Sequence, residues 1–294
     1  MEDTMKYFDL HCDSLTKCFN SHDSLKSNAN HISFEKAKNF DIWAQFFAVF
    51  IPDTFSVGYA RTYFSDCASS LEEQLGENSV RAYLTVENCG FIENADGVEL
   101  LKNRGVSAAS LTWNGDNKLA CGSATKNDTG LSDDGVKTVK RLQQENILVD
   151  VSHASEKTFW DIARTADKPI IASHSNCWEI RRSKRNLTDE QVAYIIESGG
   201  LIGLNFCQSF LPLDRPLFEG LYENIIHIAE MGGENNICFG GDFDGCFMPP
   251  CIDGIDKIPE LYAFLRYRGI KNDLLEKIFY TSAQKFVNKY LQQA

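Results

Sequence analysis

The chain has 294 residues, of which 43% are hydrophobic and 24% are charged, proportions typical of a globular protein with a sizeable core. Its formal net charge of −12 argues against a nucleic-acid-binding protein, because phosphates would repel such a surface, and more weakly against binding to anionic membranes. The ten cysteines contain no Cys-x-x-Cys pair, which argues against a zinc ribbon or a thioredoxin-type site.

Eight short apolar or β-branched runs recur along the chain and are predicted to be strands. They are 6–12, 43–51, 81–87, 106–112, 146–152, 169–173, 200–206 and 236–241. Most are hydrophobic almost throughout, which is typical of parallel strands that are covered on both faces.

Helical patterns separate most of these runs. The predicted helices are 57–76, 132–145, 155–167, 188–198, 215–233, 257–268 and 272–291. This alternation favours an α/β fold, a single (β/α)8 TIM-type barrel domain over 1–294 with extra C-terminal helices. A doubly wound open sheet also alternates, but it more often carries a Gly-rich phosphate loop, and neither G-x-G-x-x-G nor a P-loop occurs.

The first predicted strand ends in His11 and Asp13, which share a face because alternate strand residues point the same way. Taken alone, the pair is either a metal-binding pair or a polar strand end. Four other strands also end in metal-binding types of residue: Glu87, His153, His174, and Asp242 with Asp244. In a barrel these ends meet at one mouth, where charged groups are costly unless a cation compensates them. The pattern therefore predicts a divalent-metal site.

This donor set is larger than one metal needs, because a catalytic zinc takes three protein ligands and a water. Two metals would use the whole set, and the two oxygens of Glu87 suit it to bridge them. Mixed nitrogen and oxygen ligands favour zinc, with manganese, cobalt or iron as alternatives. The residues alone predict a two-metal hydrolase of an amide, ester or phosphoester, in which a carboxylate that is not a ligand carries a proton.

Seven stretches extend this pattern: FDLHCD, LTVENC, LTWNGDN, VDVSHAS, ASHSN, RRSKRN and GGDFDG, between about residues 6 and 245. In this order they resemble the motifs of the membrane (renal) dipeptidase family, the M19 metallopeptidases, among the amidohydrolase-like barrels. The resemblance implies a (β/α)8 barrel that binds two zinc ions and hydrolyses dipeptides with a metal-bridging hydroxide. It also suggests a homodimer.

By this resemblance, His11 and Asp13 would bind the first zinc and His153 and His174 the second. Glu87 would bridge the two ions.

Three more residues receive roles in the same way. Asp242 would contact the bridging water and handle its proton; strand alternation puts Asp244 on the same face, and only the resemblance ranks Asp242 first. Arg185 would hold the free carboxylate of the dipeptide, although without the resemblance it is one cation of a solvated loop. Trp113 stands where the best-known members carry a histidine that touches substrate, so we expect it to narrow the site.

Two alternatives to a dipeptidase stay open. The first is an N-acyl amino acid deacylase or another amidohydrolase on the same binuclear centre, and the second is a metal-stabilised binding protein. His22, His31 and His227 are predicted outside the site, while Asp9 is either a plain strand residue or one that orients a ligand. The first residues lack the pattern of a signal peptide, and no run approaches the roughly 18 apolar residues of a membrane helix, so we expect a cytoplasmic protein.

Overall fold

The structure is a computed structural model that describes residues 5–76 and 80–291. Eight parallel strands pair in chain order and close into a barrel, which confirms the predicted (β/α)8 TIM-type fold. The strands are β1 (Met5–Cys12), β2 (Phe40–Phe50), β3 (Arg81–Glu87), β4 (Ala108–Ser110), β5 (Leu148–Asp150), β6 (Ile171–Ala172), β7 (Leu201–Leu204) and β8 (Ile237–Phe239). The later strands are shorter than predicted because few of their residues pair with a neighbouring strand; β5 and β6, for example, pair only through Asp150 and Ile171.

Helices connect successive strands, and three more follow β8. They are α1 (Ser14–Ser21), α2 (Val57–Leu75), α3 (Val98–Asn103), α4 (Asp133–Gln144), α5 (Glu156–Thr165), α6 (Asp189–Ser198), α7 (Leu217–Glu230), α8 (Ile258–Tyr267), α9 (Asn272–Glu276) and α10 (Ser282–Tyr290). A π-helical turn, Lys277–Thr281, joins α9 to α10. Helices α1 and α3 were not predicted. Among the described residues, no helix is both long and apolar enough to cross a bilayer.

The barrel interior is filled by apolar side chains from the strands, and α10 closes its lower end. Phe8 and Leu10 of β1 pack there with Phe46 of β2, and Phe286 of α10 joins the same cluster. A larger apolar cluster lies between the strands and the surrounding helices. Apolar side chains thus fill the half of the barrel that α10 covers, and the buried polar side chains of the site lie at the opposite mouth, where the strands end.

A break in the pairing of β1 changes which way its last residues face. The register with β2 shifts between Asp9 and Cys12, as in a β-bulge. Leu10 therefore faces the barrel interior and Cys12 faces the outer cluster. Strict alternation from Leu10 would turn His11 away from the interior, so the shift is what permits His11 to lie at the mouth.

The barrel closes along a seam, which we define as the contacts between β1 and β8 and the residues that follow each strand. Asp9 pairs with Phe239, and its carboxylate accepts the N–H of Gly241 at 3.0 Å and the N–H of His11 at 2.9 Å. The N–H of Asp242 donates to the carbonyl of His11 at 3.2 Å. Asp9, whose role the sequence left open, holds the seam through backbone groups.

Candidate metal centre

Six of the side chains predicted at strand ends are buried together at the C-terminal mouth of the barrel. They are His11, Asp13, Glu87, His153, His174 and Asp242. The ligand atoms of His11, Asp13 and Glu87 lie within 4.8 Å of one another, and so do those of Glu87, His153 and His174. Glu87 thus belongs to two groups of potential ligands.

The two oxygens of Glu87 face different imidazoles. Oε2 lies 3.5 Å from Nε2 of His11, and Oε1 lies 2.7 Å from Nε2 of His153. On the first side, Nε2 of His11 is 3.4 Å from Oδ2 of Asp13. On the second side, the Nε2 atoms of His153 and His174 are 2.9 Å apart. The carboxylate therefore stands between two sets of donors.

Unpaired polar atoms indicate that this cluster is built for cations. Nε2 of His11 and Oδ1 of Asp13 are buried and have no hydrogen-bond partner among the described residues. A buried polar atom without a partner costs about 1–3 kcal/mol, so the fold would not gain by placing several together. Nitrogen and carboxylate donors that converge in this way fit zinc or a similar divalent metal.

Hydrogen bonds hold two of the imidazoles in the tautomer that a metal requires. Nδ1 of His153 lies 2.9 Å from Oδ1 of Asn114, an amide oxygen that can only accept, so the ring proton is on Nδ1. Nδ1 of His174 lies 2.7 Å from Oγ of Ser173, whose own proton goes to Asp150 at 2.5 Å. Both Nε2 atoms therefore present a lone pair to the cluster.

Asn114, Ser173 and Asp150 were not predicted as part of the site. Each lies inside or beside a stretch that carries a predicted site residue: Asn114 follows Trp113, Ser173 precedes His174, and Asp150 lies three residues before His153. Proximity to the motifs was therefore the available signal, but the direction of each hydrogen bond depends on the folded chain.

Burial and neighbouring charges set the protonation of the cluster. Burial lowers the pKa of His153 to about 4 and the pKa of His174 well below its ordinary value, so both rings are neutral at pH 7. Burial also acts to lower the pKa of His11, but the nearby carboxylates of Asp13 and Glu87, 3.4 Å and 3.5 Å from its Nε2, outweigh it and leave that pKa well above its ordinary value. The negative charge that Asp13 and Glu87 place beside His11 is the charge that a bound metal cation would offset.

Asp242 differs from the other carboxylic acids of the cluster. Burial, together with the charges of Asp13 and Glu87, raises its pKa to about 8, although His11 opposes the shift. Its Oδ2 accepts a hydrogen bond from the amide of Asn205 at 3.0 Å, and its Oδ1 lies 3.9 Å from Nε2 of His11. A buried acid that exchanges its proton near neutral pH is suited to general acid–base catalysis.

Asp244 has other partners, although it was predicted to share a face with Asp242. Its carboxylate accepts from Ser14 at 2.5 Å, from Lys17 at 3.0 Å and from the N–H of His31 at 2.9 Å. The imidazole of His31 in turn accepts the N–H of Asp244 at 2.9 Å. The structure therefore groups Asp242 with the imidazoles, and Asp244 with α1 and the loop after it.

His22 and His227 were predicted outside the site and lie in helical contexts. His22 is the exposed residue that ends α1, with φ at 58°. His227 of α7 is 2.7 Å from the carboxylate of Asp189.

A cavity of about 590 Å³ opens beside the cluster. Its walls include the aromatic rings of Phe50, Trp113 and Phe210, while Glu87 and His153 lie at its surface. The ring of Trp113 packs against Phe50 at 5.1 Å. A dipeptide could therefore lie next to the carboxylates and be limited in size by the aromatic walls.

Arg185 is half-buried and lines a second cavity, of about 310 Å³, which shares His153 with the first. Its Nη2 donates to the carbonyl of His174 at 3.4 Å, and the guanidinium lies 5.5 Å from the ring centre of Phe210. Its Nε is buried and has no hydrogen-bond partner within residues 5–76 and 80–291. The guanidinium therefore has donor capacity left for an anion close to the cluster.

The model of the membrane dipeptidase family, peptidase family M19, matches residues 59–292. The chain belongs to this family. The match begins in α2, so it covers Glu87 and all later site residues, whereas His11 and Asp13 precede it.

Curated relatives agree with this assignment. An uncharacterized protein in the pqqA 5′ region of Klebsiella pneumoniae is 29% identical over 242 residues, which are 77% of this chain and 89% of that protein. Dipeptidase verJ of Clonostachys rogersoniana is 27% identical over 226 residues, which are 76% of this chain but 57% of that protein.

Solved structures share the fold over nearly the whole chain. A dipeptidase described as an M19 metallopeptidase superposes with a TM-score of 0.89 at 25% identity, covering 98% of this chain and 99% of that one. A metallopeptidase from Rhodobacter sphaeroides has a TM-score of 0.87 at 24% identity, covering 98% of this chain and 100% of that one, and its likeness supports the fold alone. The family and these relatives confirm the prediction of a metallo-dipeptidase, a hydrolase of peptide bonds.

Proposed function

We propose that this dipeptidase cleaves dipeptides that have a free C-terminal carboxylate, and that it uses two zinc ions. His11 and Asp13 would hold one ion, His153 and His174 the other, and Glu87 both. The observation that carries the proposal is the position of Glu87, whose two oxygens lie 3.5 Å and 2.7 Å from the imidazoles of His11 and His153. When bound, the ions supply Lewis acidity toward the scissile carbonyl and activate a water molecule.

In this proposal Asp242 moves the proton. Its carboxylate takes a proton from the attacking water and delivers it to the amine that leaves, as a general base and then a general acid. The amide of Asn205 fixes Oδ2, which leaves Oδ1 directed toward His11.

Arg185 and Trp113 would select the substrate. A planar guanidinium can hold a carboxylate through two parallel hydrogen bonds, so Arg185 would bind the C-terminal carboxylate and thereby exclude longer peptides. Trp113 and Phe50 would narrow the first cavity and favour small side chains. The relative from Rhodobacter sphaeroides was crystallised with a phosphinate mimic of the dipeptide L-Ala-D-Ala, which makes this dipeptide a suitable member of a test panel.

The test combines metal analysis with a panel of substrates. Protein purified without chelator should carry close to two equivalents of metal, mostly zinc, and chelation should stop hydrolysis until zinc is restored. L-Ala-L-Ala or L-Ala-D-Ala should be cleaved faster than N-acetyl-alanine. Faster cleavage of N-acetyl-alanine would identify a deacylase instead, and full activity with one tightly held metal would refute the two-metal scheme.

The proposal also includes a cytoplasmic location, a homodimer and a single hydrolase domain over 1–294. Residues 1–4, 77–79 and 292–294 of that domain lie outside the described residues. All ten cysteines fall in the described ranges and are free thiols, which is consistent with a reducing compartment. Sedimentation equilibrium would test the homodimer.

A further inference from the structure

Two cysteines face the first cavity, and the proposed reaction uses neither of them. Cys207 follows β7 and Cys246 follows β8, so two neighbouring parallel strands bring both side chains to one wall beside Asp242. Both are free thiols, and Cys207 is only 6% exposed. The Sγ atoms and a carboxylate oxygen of Asp242 all lie within 4.8 Å of one another.

The two thiols are close neighbours, with their Sγ atoms within 4.8 Å of each other. The interaction with Cys246 is the main cause that lowers the pKa of Cys207 to about 6, while Sγ of Cys246 also lies 3.9 Å from the backbone carbonyl of Asp242. Cys207 therefore has thiolate character at neutral pH, and the thiolate is the form of cysteine that binds metals.

The spacing of these three atoms is close to that of ligands around one ion. In a tetrahedral zinc site, with Zn–S about 2.3 Å and Zn–O about 2.0–2.2 Å, neighbouring ligand atoms lie roughly 3.5–3.8 Å apart. The observed limit of 4.8 Å is thus within a small side-chain adjustment of such a site. Two sulfurs also make the group softer than the imidazole and carboxylate cluster, so it should prefer thiophilic ions.

We propose that Cys207, Cys246 and Asp242 form an additional site for one thiophilic divalent ion, such as Zn²⁺ or Cd²⁺, and that its occupancy inhibits hydrolysis. An ion at this site engages the carboxylate that the proposed reaction needs to carry a proton, and it occupies the wall of the substrate cavity. Inhibition rests on the proposed function, whereas binding does not.

Binding is tested by titrating the reduced, zinc-loaded protein with Cd²⁺ and recording the ultraviolet charge-transfer band of cadmium–thiolate bonds. Imidazole and carboxylate ligands do not produce this band, so it reports thiolate binding whatever the number of catalytic metals. The wild type should show a band that saturates at one equivalent. Cys207→Ser and Cys246→Ser should each lose most of it. Mn²⁺, a harder ion, should give no comparable signal.

Cys251→Ser is the matched control, because Cys251 is exposed and lies only five residues after Cys246. This variant should keep the band at wild-type amplitude. The half-buried position of Cys246 keeps the test informative even if the more buried Cys207→Ser does not fold. A wild type without the band, or a Cys246→Ser variant that retains it in full, would overturn the site.

Inhibition is tested with Zn²⁺ added beyond the amount that restores full activity, and each variant is compared with its own rate before the addition. The wild type and Cys251→Ser should lose at least tenfold in rate, and Cys246→Ser should lose much less. Equal inhibition of all three proteins would refute the inhibitory role. A catalytically inactive wild type that still shows the cadmium band would refute the proposed function and leave the metal site standing.

Discussion

Several residues at the mouth adopt a backbone conformation that is unusual for residues other than glycine. His153, Asp242 and Asp244 have φ values of 69°, 61° and 68°. Left-handed backbone costs such residues about 1–2 kcal/mol each, and positions of this kind cluster at functional sites. Strand alternation does not apply to residues with this geometry, which explains why Asp242 and Asp244 point to different partners although they are two positions apart.

The different partners of these two aspartates lead to different mutant phenotypes. Asp242→Asn should keep the metals but lower kcat by about 10²–10⁴, the usual contribution of general acid–base catalysis. Asp244→Asn is the matched control, since it makes the same chemical change in a carboxylate that contacts Lys17 and Ser14. Steady-state kinetics, with metal analysis of each variant in parallel, would distinguish the roles of the two aspartates. A larger kcat loss in Asp244→Asn would reverse the assignment.

The second prediction at this scale concerns Arg185. A charge-assisted hydrogen bond contributes about 1.5–3 kcal/mol, so Arg185→Ala should lower kcat/KM for dipeptides by roughly ten- to a hundredfold. A dipeptide amide lacks the carboxylate and should be a poor substrate that the variant cleaves about as well as the wild type.

The exposed Arg182 lies in the same loop and provides the control, because Arg182→Ala should leave the ratio of dipeptide to amide cleavage unchanged. If Arg185→Ala damaged both substrates alike, the carboxylate would bind elsewhere.

At the scale of the element, very short strands hold accurately oriented side chains at the mouth of the barrel. Strand β6 has two residues, yet His174 just beyond it is held through Ser173 to Asp150 at the end of β5. A chain of hydrogen bonds between the ends of two neighbouring strands thus fixes the orientation of the His174 ring, which a longer strand alone would not fix. Such partners of metal-binding histidines fix the ring and its tautomer.

Ser173→Ala should therefore weaken zinc binding by about 10–100-fold, because Nδ1 of His174 loses its acceptor. Competition with a chromophoric chelator measures this affinity. Ser175→Ala is the control, since the Ser175 hydroxyl lies 3.2 Å from that of Ser152 rather than beside an imidazole. Equal affinities in the two variants would mean that Ser173 does not position the ligand.

Local chemistry also explains which elements the sequence could predict. Thr188 and Gln191 form both hydrogen bonds of the predicted capping box, and Gly199 ends α6 with φ at 75°. The register shift of β1 had no such signature, because a bulge depends on how β1 pairs with β2. The short α1 was missed because its helical face is narrow, with Leu15 and Cys18 as its buried apolar residues.

At the scale of the whole molecule, regular alternation of strands and helices was sufficient to predict the barrel and the meeting of its strand ends. That one topological inference placed side chains as far apart in the sequence as His11 and His174 in one cluster. It could not predict that Arg185 lies in a second cavity that shares only the wall at His153, or that two thiols meet beside Asp242. Those features depend on the paths of the loops, and loop residues do not show the regular hydrophobic periodicity by which strands and helices are predicted.

The seam between β1 and β8 has a further consequence for how the protein acquires activity. Its contacts join residues as far apart as Asp9 and Gly241, which are separated by 232 positions in the chain. Closing so long a loop loses chain entropy before the contacts form, and folds that depend on distant pairing reach the native state slowly. All the histidines of the cluster precede Asp242 in synthesis. A growing polypeptide therefore contains the side chains proposed to bind metal before it contains the one proposed to carry the proton, and the site is complete only once β8 pairs with β1.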